Sequence, residues 1–491
     1  MSLARLLDEI TAAVPDRAAL ITDGDTVTTY AELEGAVSSC AAALRRHGIG
    51  AGDRVAVLDR PGVLIVAAVL GAARAGASAT LLLDSPGDAE VGALVQAAGC
   101  RPVGLAGDAD AARLGAALGG RALTPAEALE GPADTQPVED ADDAGVVLFT
   151  GGTTGLPKVI PVAGDGLVGR LQAIRFDFDP TSPATVRMIS VPLVHVGGLV
   201  GILRNLVSGV TTVVLSRFDA GEWLRAAERH RVNGAFLVPA MLGRIIDHPD
   251  FARSDLSALR TLAYGAAPAP LELVRRATAA LPDVDFAQAF GQTETLGGFT
   301  SLSPEDHRDP RRLGSLGRPL AGVEIRVVDP GSGADVDDGA TGELWVRGAQ
   351  TVEPGWTRTG DLVRRDTDGY LWMEGRLGDR INRGGEKFSP IEVETVLRDH
   401  PAVADAAVAA IPDAELGERA GAAVVLRPAG GEAAVTEAEL TRFCRERLAR
   451  FKVPEVVLMV DELPLTAVGK VDRRRISEML AGMRERDAAR P

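Results

Sequence analysis

The stretch Leu148-Phe-Thr-Gly-Gly-Thr-Thr-Gly-Leu-Pro-Lys158 sets Gly151, Gly152 and Gly155 among the hydroxyls of Thr150, Thr153 and Thr154 and ends on Lys158. Glycines let backbone N–H groups approach phosphate oxygens, and hydroxyls add donors. It is not a Walker A loop, which needs Lys directly after Gly and then Ser or Thr; here Pro157 intervenes. By itself such a loop reads equally as an ordinary turn. Further on, Phe290-Gly-Gln-Thr-Glu294 groups a flat ring, a hydroxyl and a carboxylate, and Thr359-Gly-Asp361 sets a second carboxylate beside a glycine. A ring face can stack on a base, and a carboxylate can hold a cation or accept two sugar hydroxyls. Taken singly, the first is also a surface turn, and Asp361 or Arg376 would normally be solvated charges. Lys470, before an arginine cluster, would be one too.

Elements of alternating type must position these groups. From Ala19 to about Ile174, short apolar runs alternate with helix-like stretches: strand at Val55–Leu58, helix at Val63–Ala75, strand at Ser78–Leu83. A buried strand at Val146–Phe149 runs straight into the glycine-rich turn. Strands at Thr212–Leu215, Ala235–Val238 and Thr261–Tyr264 each follow a helical segment such as Glu222–His230. Strands interleaved with helices predict parallel sheets covered on both faces, an α/β fold of αβ layers. Near Gly317 the rhythm changes: Val323–Val328 and Glu343–Val346 alternate about a Gly/Asp turn, as in a small antiparallel or barrel-like section. After Arg376 come a helix (Pro390–His400), two strands (Val403–Ile411, Ala420–Leu426), a helix (Thr436–Leu448) and a strand (Glu455–Met459). That pattern predicts a small, mobile α+β C-terminal domain of about one hundred residues. The expected division is 1–377 and 378–491.

With 491 residues the chain exceeds the length at which one core keeps growing, so two lobes are the default. A net charge of −16 repels polyphosphate backbones, which disfavours nucleic acid as a partner. Any phosphate must be held by a local set of donors. Cys40, Cys100 and Cys444 form no metal-spaced pair and read as free thiols of a cytoplasmic protein. The N-terminus reads as an amphipathic helix, no stretch has the length of a membrane span, and the C-terminus carries no lipidation or peroxisomal address. A soluble protein with no membrane partner is expected.

Taken in order along nearly the whole chain, these motifs resemble those of the adenylate-forming superfamily of acyl-CoA synthetases, aryl acid ligases, adenylation domains and luciferases. INRGGEK and LPLTAVGKVD look closest to the aryl acid and oxalate-type ligase branches. The resemblance implies ATP and Mg²⁺, with CoA the first choice of acyl acceptor. Thr150 to Gly155 and Lys158 would cradle phosphate, Phe290 and Gly291 would meet adenine, Thr293 the α-phosphate, and Glu294 the metal. Asp361 and Arg376 would hold the ribose. Lys470, carried on the second domain, would bridge the substrate carboxylate and the α-phosphate as charge builds between them. Gly384, Gly385, Glu386 and Lys387 would face the acceptor, the glycines leaving a tunnel for a pantetheine arm. A tight turn before the helix at Pro390 is the other reading of the same residues, and both can hold. Three departures from the family pattern stand out: Gly151 replaces a serine, Phe290 a tyrosine, and Gly378 the polar hinge residue. The link Val346–Trp356 is also short.

Pro192-Leu-Val-His195-Val-Gly-Gly-Leu199 resembles the segment that lines the acyl tunnel, with His195 a wall of the carboxylate site. Val196 stands where relatives that take amino acids or dihydroxybenzoate carry Asp or Asn. Without that polar anchor an α-ammonium or catechol loses its partner, so an acid lacking an α-amine is expected. Gly197, Gly198, Gly265, Ala266 and Gly291 imply a roomy, apolar pocket, to which the resemblance adds Ala289 and Gln292, with Gly265 and Ala266 also bordering the nucleotide. The acceptor stays open among CoA, a carrier-protein thiol and an amine. A silent nucleotide sensor would have lost Glu294, Asp361 or Lys470, and all three are present. Nothing in the sequence calls for a luciferase's oxygen chemistry.

Overall fold

The computed structural model describes residues 2–82, 87–133, 144–150, 157–413, 415–427, 435–465 and 471–488, with backbone alone at 484–488. By compactness the chain divides into two units, one of residues 1–324 and 346–357, the other of 325–345 and 358–491. Compactness groups the four-stranded sheet of residues 324–376 mostly with the C-terminal residues.

The first unit is built on a nine-stranded and a six-stranded sheet. In the nine-stranded sheet, Asp285–Gln292, Thr261–Gly265, Gly234–Leu237, Val186–Ile189, Thr211–Val214 and Ala18–Thr22 run parallel side by side. Antiparallel strands close both edges. The six-stranded sheet is parallel up to Val146–Thr150, which pairs antiparallel with Lys158–Val162. The largest core cluster draws on strands of both sheets and on helices Tyr30–Arg46, Val63–Arg74 and Val196–Val207. From Leu64 to Arg74 helix Val63–Arg74 is buried all round, which its unbroken apolar run dictates. Its Gly71 lets helix Tyr30–Arg46 approach, since a Cβ there would lie 2.9 Å from that of Cys40. Arg74 is buried as well, paired with Glu34 and donating to the Ala4 carbonyl. Separate apolar clusters cover the outer face of each sheet.

The strands and helices expected here occur within three residues of their predicted ends. The alternating section is an open four-stranded sheet, not a closed barrel. The C-terminal residues form a five-stranded sheet, with helices Pro390–Arg398, Glu437–Arg445 and Arg473–Ala488 and an apolar cluster on each face. Helix Pro390–Arg398 starts at a Ser389 capping box with Pro in its first turn. Among the described residues no helix is long and apolar enough to cross a membrane.

Candidate active site

The central strands of the nine-stranded sheet run parallel, so their carboxyl ends share one edge, where ligands of open α/β sheets bind. His195 and Val196 follow Val186–Ile189, Gly265 ends Thr261–Gly265, and Gln292 ends Asp285–Gln292. Thr293 and Glu294, both half-buried, occupy the 3₁₀ turn Thr293–Thr295 that follows. Local chemistry fixes this turn. The Thr295 hydroxyl donates to the carbonyls of Gln292 and Gly297, at 3.0 and 2.8 Å, and accepts from the Gln292 N–H at 3.1 Å. Leu296 takes a left-handed φ of +48°, a strained conformation for a branched side chain. A bulge between Phe290 and Gly291 turns the strand just before the turn.

Glycine is required at three of these positions. A Cβ on Gly291 would lie 1.9 Å from the Gly297 carbonyl oxygen, one on Gly265 2.1 Å from that of Ala289, and one on Gly198 2.2 Å from that of Pro192. Gly197 is different: its face opens onto Phe236, at 3.4 Å, in ordinary contact. Ala266 holds φ +65° at an exposed position just past Gly265. Phe290 meets Phe299 edge to face, with centroids 5.3 Å apart. The Glu294 carbonyl accepts from the Val352 N–H at 2.9 Å, which ties the shortened 346–356 link to this turn.

Two buried polar groups at this edge escaped the sequence reading. Tyr264 donates its hydroxyl to His307 Nε2 at 3.0 Å, and His307 Nδ1 donates to the Ser303 carbonyl at 2.7 Å. The second bond fixes the tautomer that lets Nε2 accept. Burial holds the His307 imidazole below its ordinary range and pushes the Tyr264 phenol up. Arg170, on helix Gly164–Ile174, is buried and donates to the Gly298 carbonyl beside Ala289. The only sequence signal is at Tyr264 and Arg170, each a polar residue inside an apolar stretch; His307 lies in the polar run 303–312 and gives none.

Thr150 and Lys158 face each other in the antiparallel register of their strands. Gly151, Gly152, Thr153, Thr154 and Gly155 lie outside the described residues. So does Lys470, but the base of its loop is described. Leu465 and Val471 form an isolated bridge, and the Asp472 N–H donates to the Pro464 carbonyl at 2.8 Å.

In the second unit, Asp361 and Arg376 are register partners on adjacent strands, with Arg376 Nε 2.7 Å from Asp361 Oδ1. Asp361 is 5% exposed, so it is not the solvated charge its sequence surroundings suggest. Its N–H donates to the Thr359 hydroxyl, which donates to the Leu344 carbonyl. Gly384 and Gly385, at φ +59° and +97°, form the two-residue turn of a hairpin pairing Ile381–Arg383 with Glu386–Phe388. The tight-turn reading therefore accounts for both glycines. Glu386 and Lys387 are exposed on its returning strand. Exposed Gly378 has neither a left-handed φ nor a neighbour within 4 Å of an added Cβ.

The sequence profile of the AMP-binding enzyme family matches residues 7–355, and that of the AMP-binding enzyme C-terminal domain matches 392–470. The chain is 33% identical over 479 residues to a feruloyl-CoA synthase of an Amycolatopsis species, covering 94% of this chain and 95% of that one. It is also 33% identical over 355 residues to the putative acyl-CoA synthetase YngI of Bacillus subtilis, there covering 69% of this chain but only 64% of the relative. Among solved structures, the o-succinylbenzoate CoA synthetase of Bacillus subtilis in complex with ATP and magnesium superposes with a TM-score of 0.82 at 28% identity, covering 97% and 99% of the two chains. The amide bond synthetase McbA of Marinactinospora thermotolerans superposes with a TM-score of 0.85 at 28% identity, again covering 97% and 99%. With both profiles matched in order and a full-length relative above 30% identity, the chain belongs to the AMP-binding enzyme family.

Proposed function

We propose that this protein uses ATP to convert a carboxylic acid lacking an α-amino group into an acyl-adenylate, and passes the acyl group to the thiol of CoA. The observation that carries the reading is the convergence of His195–Val196, Gly265–Ala266 and Phe290–Glu294 at the carboxyl ends of neighbouring parallel strands. In the first step a carboxylate oxygen attacks the α-phosphorus and pyrophosphate leaves with its electron pair. In the second the thiol attacks the acyl carbon, its proton is lost, and AMP leaves.

Within the first unit, Thr293 donates to the α-phosphate, and Thr150, Thr153, Thr154 and Lys158, with the N–H groups of Gly151, Gly152 and Gly155, cradle the outer phosphates. Phe290 offers its ring to the base, and His195 walls the carboxylate. No group of three or more metal-ligating side chains occurs among the described residues, and Glu294 is a lone half-buried carboxylate. That donor set fits Mg²⁺, which is held by one or two carboxylates together with substrate phosphates and water. The ion would neutralise phosphate charge. From the second unit, Asp361 accepts from the ribose hydroxyls, Arg376 orients that carboxylate through their ion pair, and Lys470 balances the charge that develops between carboxylate and phosphate. A division at 377/378, with Gly378 as hinge, would let one C-terminal domain serve both steps.

ATP–pyrophosphate exchange over a panel of aliphatic, aryl and dicarboxylic acids tests the first step, and no exchange with any acid would sink it. Offering CoA, a phosphopantetheinyl carrier protein or a simple amine to the positive acid identifies the acceptor. Likeness to an amide bond synthetase over nearly the full chain keeps the amine in that comparison.

A further inference from the structure

The nine-stranded sheet turns one face toward helix Val196–Val207, and strand alternation assigns the residues on it. Arg187 is in register with Gly234, Gly234 with Thr261, and Thr261 with Asp285; two rows higher in the sheet Gly265 is in register with Ala289. On this face Ala263, Ala287 and Ala289 are half-buried, whereas Leu262, Tyr264, Phe286 and Gln288 behind them are buried. The helix answers with Gly197, Gly201 and Arg204, one stripe at helical spacing and likewise half-buried. Gly197 looks onto Phe236 and Gly201 onto Ile189. Phe236 and Ile189 fill the space against Gly197 and Gly201, and the half-buried Ala263, Ala287 and Ala289 on the two strands beside them leave a cleft that starts beside Gly265 and descends between helix and sheet.

The lower end of this cleft is cationic, contrary to the apolar pocket expected from the glycines and alanines. The Arg187 guanidinium lies over Gly234, where a Cβ would come within 2.7 Å of its Cζ, and it donates to the Thr261 hydroxyl at 3.3 Å. Arg187 and Arg204 both lie over the Phe176 ring, 4.6 and 4.3 Å from its centroid. Arg170 closes the side next to Gly298. No carboxylate among the described residues pairs with any of the three. The Nε atoms of Arg170 and Arg204 are buried without a hydrogen-bond partner, and Arg170 as a whole is 9% exposed. Burial pushes Arg187 down to about 10, and burial with the like charges of Arg187 and Arg170 pushes Arg204 down to about 9, so both remain cationic at neutral pH. Stacking on one phenyl ring is a weak return for confining like charges; a bidentate anion would satisfy both the charge and the free donors.

We propose that the acid activated here carries a second carboxylate at its far end, held at the foot of this cleft by Arg204 and Arg187 with Arg170 beside it. The inference rests on the adenylation reading above. Two pleat repeats, ~13 Å, separate the Gly265–Ala289 row from the Gly234–Thr261 row. The two charged ends of the acid are therefore separated by a ring or a chain, not by one carbon.

The test is pyrophosphate exchange with matched acids: adipate against hexanoate, and 4-carboxyphenylacetate against 4-methylphenylacetate, with malonate as the short control. Wild type should favour each long dianion in kcat/KM by about 10- to 100-fold, the worth of a charge-assisted hydrogen bond. Arg204→Met and Arg187→Met should abolish that preference, leave the KM for ATP unchanged, and raise Tm in the absence of ligand, because an unpaired buried charge is removed. Adipate alone should raise the Tm of wild type and not that of Arg204→Met. Better turnover of the monoanions, a preference that survives both substitutions, or a Tm that falls in both variants would overturn the inference and leave the adenylation reading standing. No exchange with any acid would overturn both.

Discussion

Arg473→Met should loosen the base of the loop that carries Lys470. Arg473 opens the last helix, two residues after the Leu465–Val471 bridge, and its guanidinium pairs with Glu394 and donates to the Val408 carbonyl. The Glu394 side chain is 4% exposed, and its other partners are the Val408 N–H at 2.9 Å and Arg398 at 3.7 Å. Breaking a buried pair from one side generally costs 3–5 kcal/mol, because the remaining charge is left uncompensated. Here one hydrogen bond and one looser cation stay with Glu394, so about 2–4 kcal/mol is expected. In hydrogen exchange read by mass spectrometry, peptides from helix Arg473–Ala488 should exchange about 30- to 1,000-fold faster. Peptides from the nine-stranded sheet should not change. Arg473→Met combined with Glu394→Met should recover all but about 1 kcal/mol, since the stranded charge goes with its partner. A double variant no better than Arg473→Met alone, or a single variant costing under about 1 kcal/mol, would refute the argument.

Tyr264→Phe leaves His307 Nε2 buried without its donor and should cost about 1–3 kcal/mol in denaturant titration. Because burial lowers the His307 pKa in the folded protein, the unfolded chain takes up that proton first. Stability from this group is therefore complete above the ordinary value of 6.5 and declines as pH falls below it, and His307→Asn should flatten that limb of a stability–pH profile. Gly291→Ala forces a Cβ against the Gly297 carbonyl and should cut adenylation by more than about tenfold in an exchange assay. Gly378→Asp meets nothing within 4 Å and should shift stability by no more than about 0.5 kcal/mol. A change confined to thioester formation in that variant would mark the hinge, and identical effects on both steps would count against it.

Most elements were legible because each carries its own period and punctuation: the apolar run of Val63–Arg74, the proline at the start of helix Pro390–Arg398, the Gly-Gly pair for which a tight turn is one of two readings. Three glycines singled out in the sequence are demanded by backbone contacts: Gly291 and Gly198 by carbonyls close in sequence, at Gly297 and Pro192, and Gly265 by that of Ala289 on the adjacent strand. What stayed hidden depends on long-range placement. Nothing near Arg204 in sequence says that Arg187 and Arg170 will gather beside it between helix and sheet, and nothing near Tyr264 announces His307. The burial of Asp361 is hidden for the same reason: it comes from strand register, which a lone Thr-Gly-Asp does not encode. The grouping of the four-stranded sheet with the C-terminal residues is likewise a property of packing, invisible to composition.

The cysteine whose β-carbon lies 2.9 Å from where a Cβ on Gly71 would sit has a use outside catalysis. Cys40 belongs to the core shared by the two sheets, Cys100 packs against the cluster outside the six-stranded sheet, and Cys444 belongs to a cluster of the C-terminal sheet. Burial pushes all three thiols up, Cys40 to about 12 and Cys444 to about 11, so none reacts readily while its surroundings stay closed. Each thiol is thus a stopwatch on a different compartment. Single-cysteine versions of the chain, timed with an alkylating reagent in rising urea, would report the order in which the three compartments open.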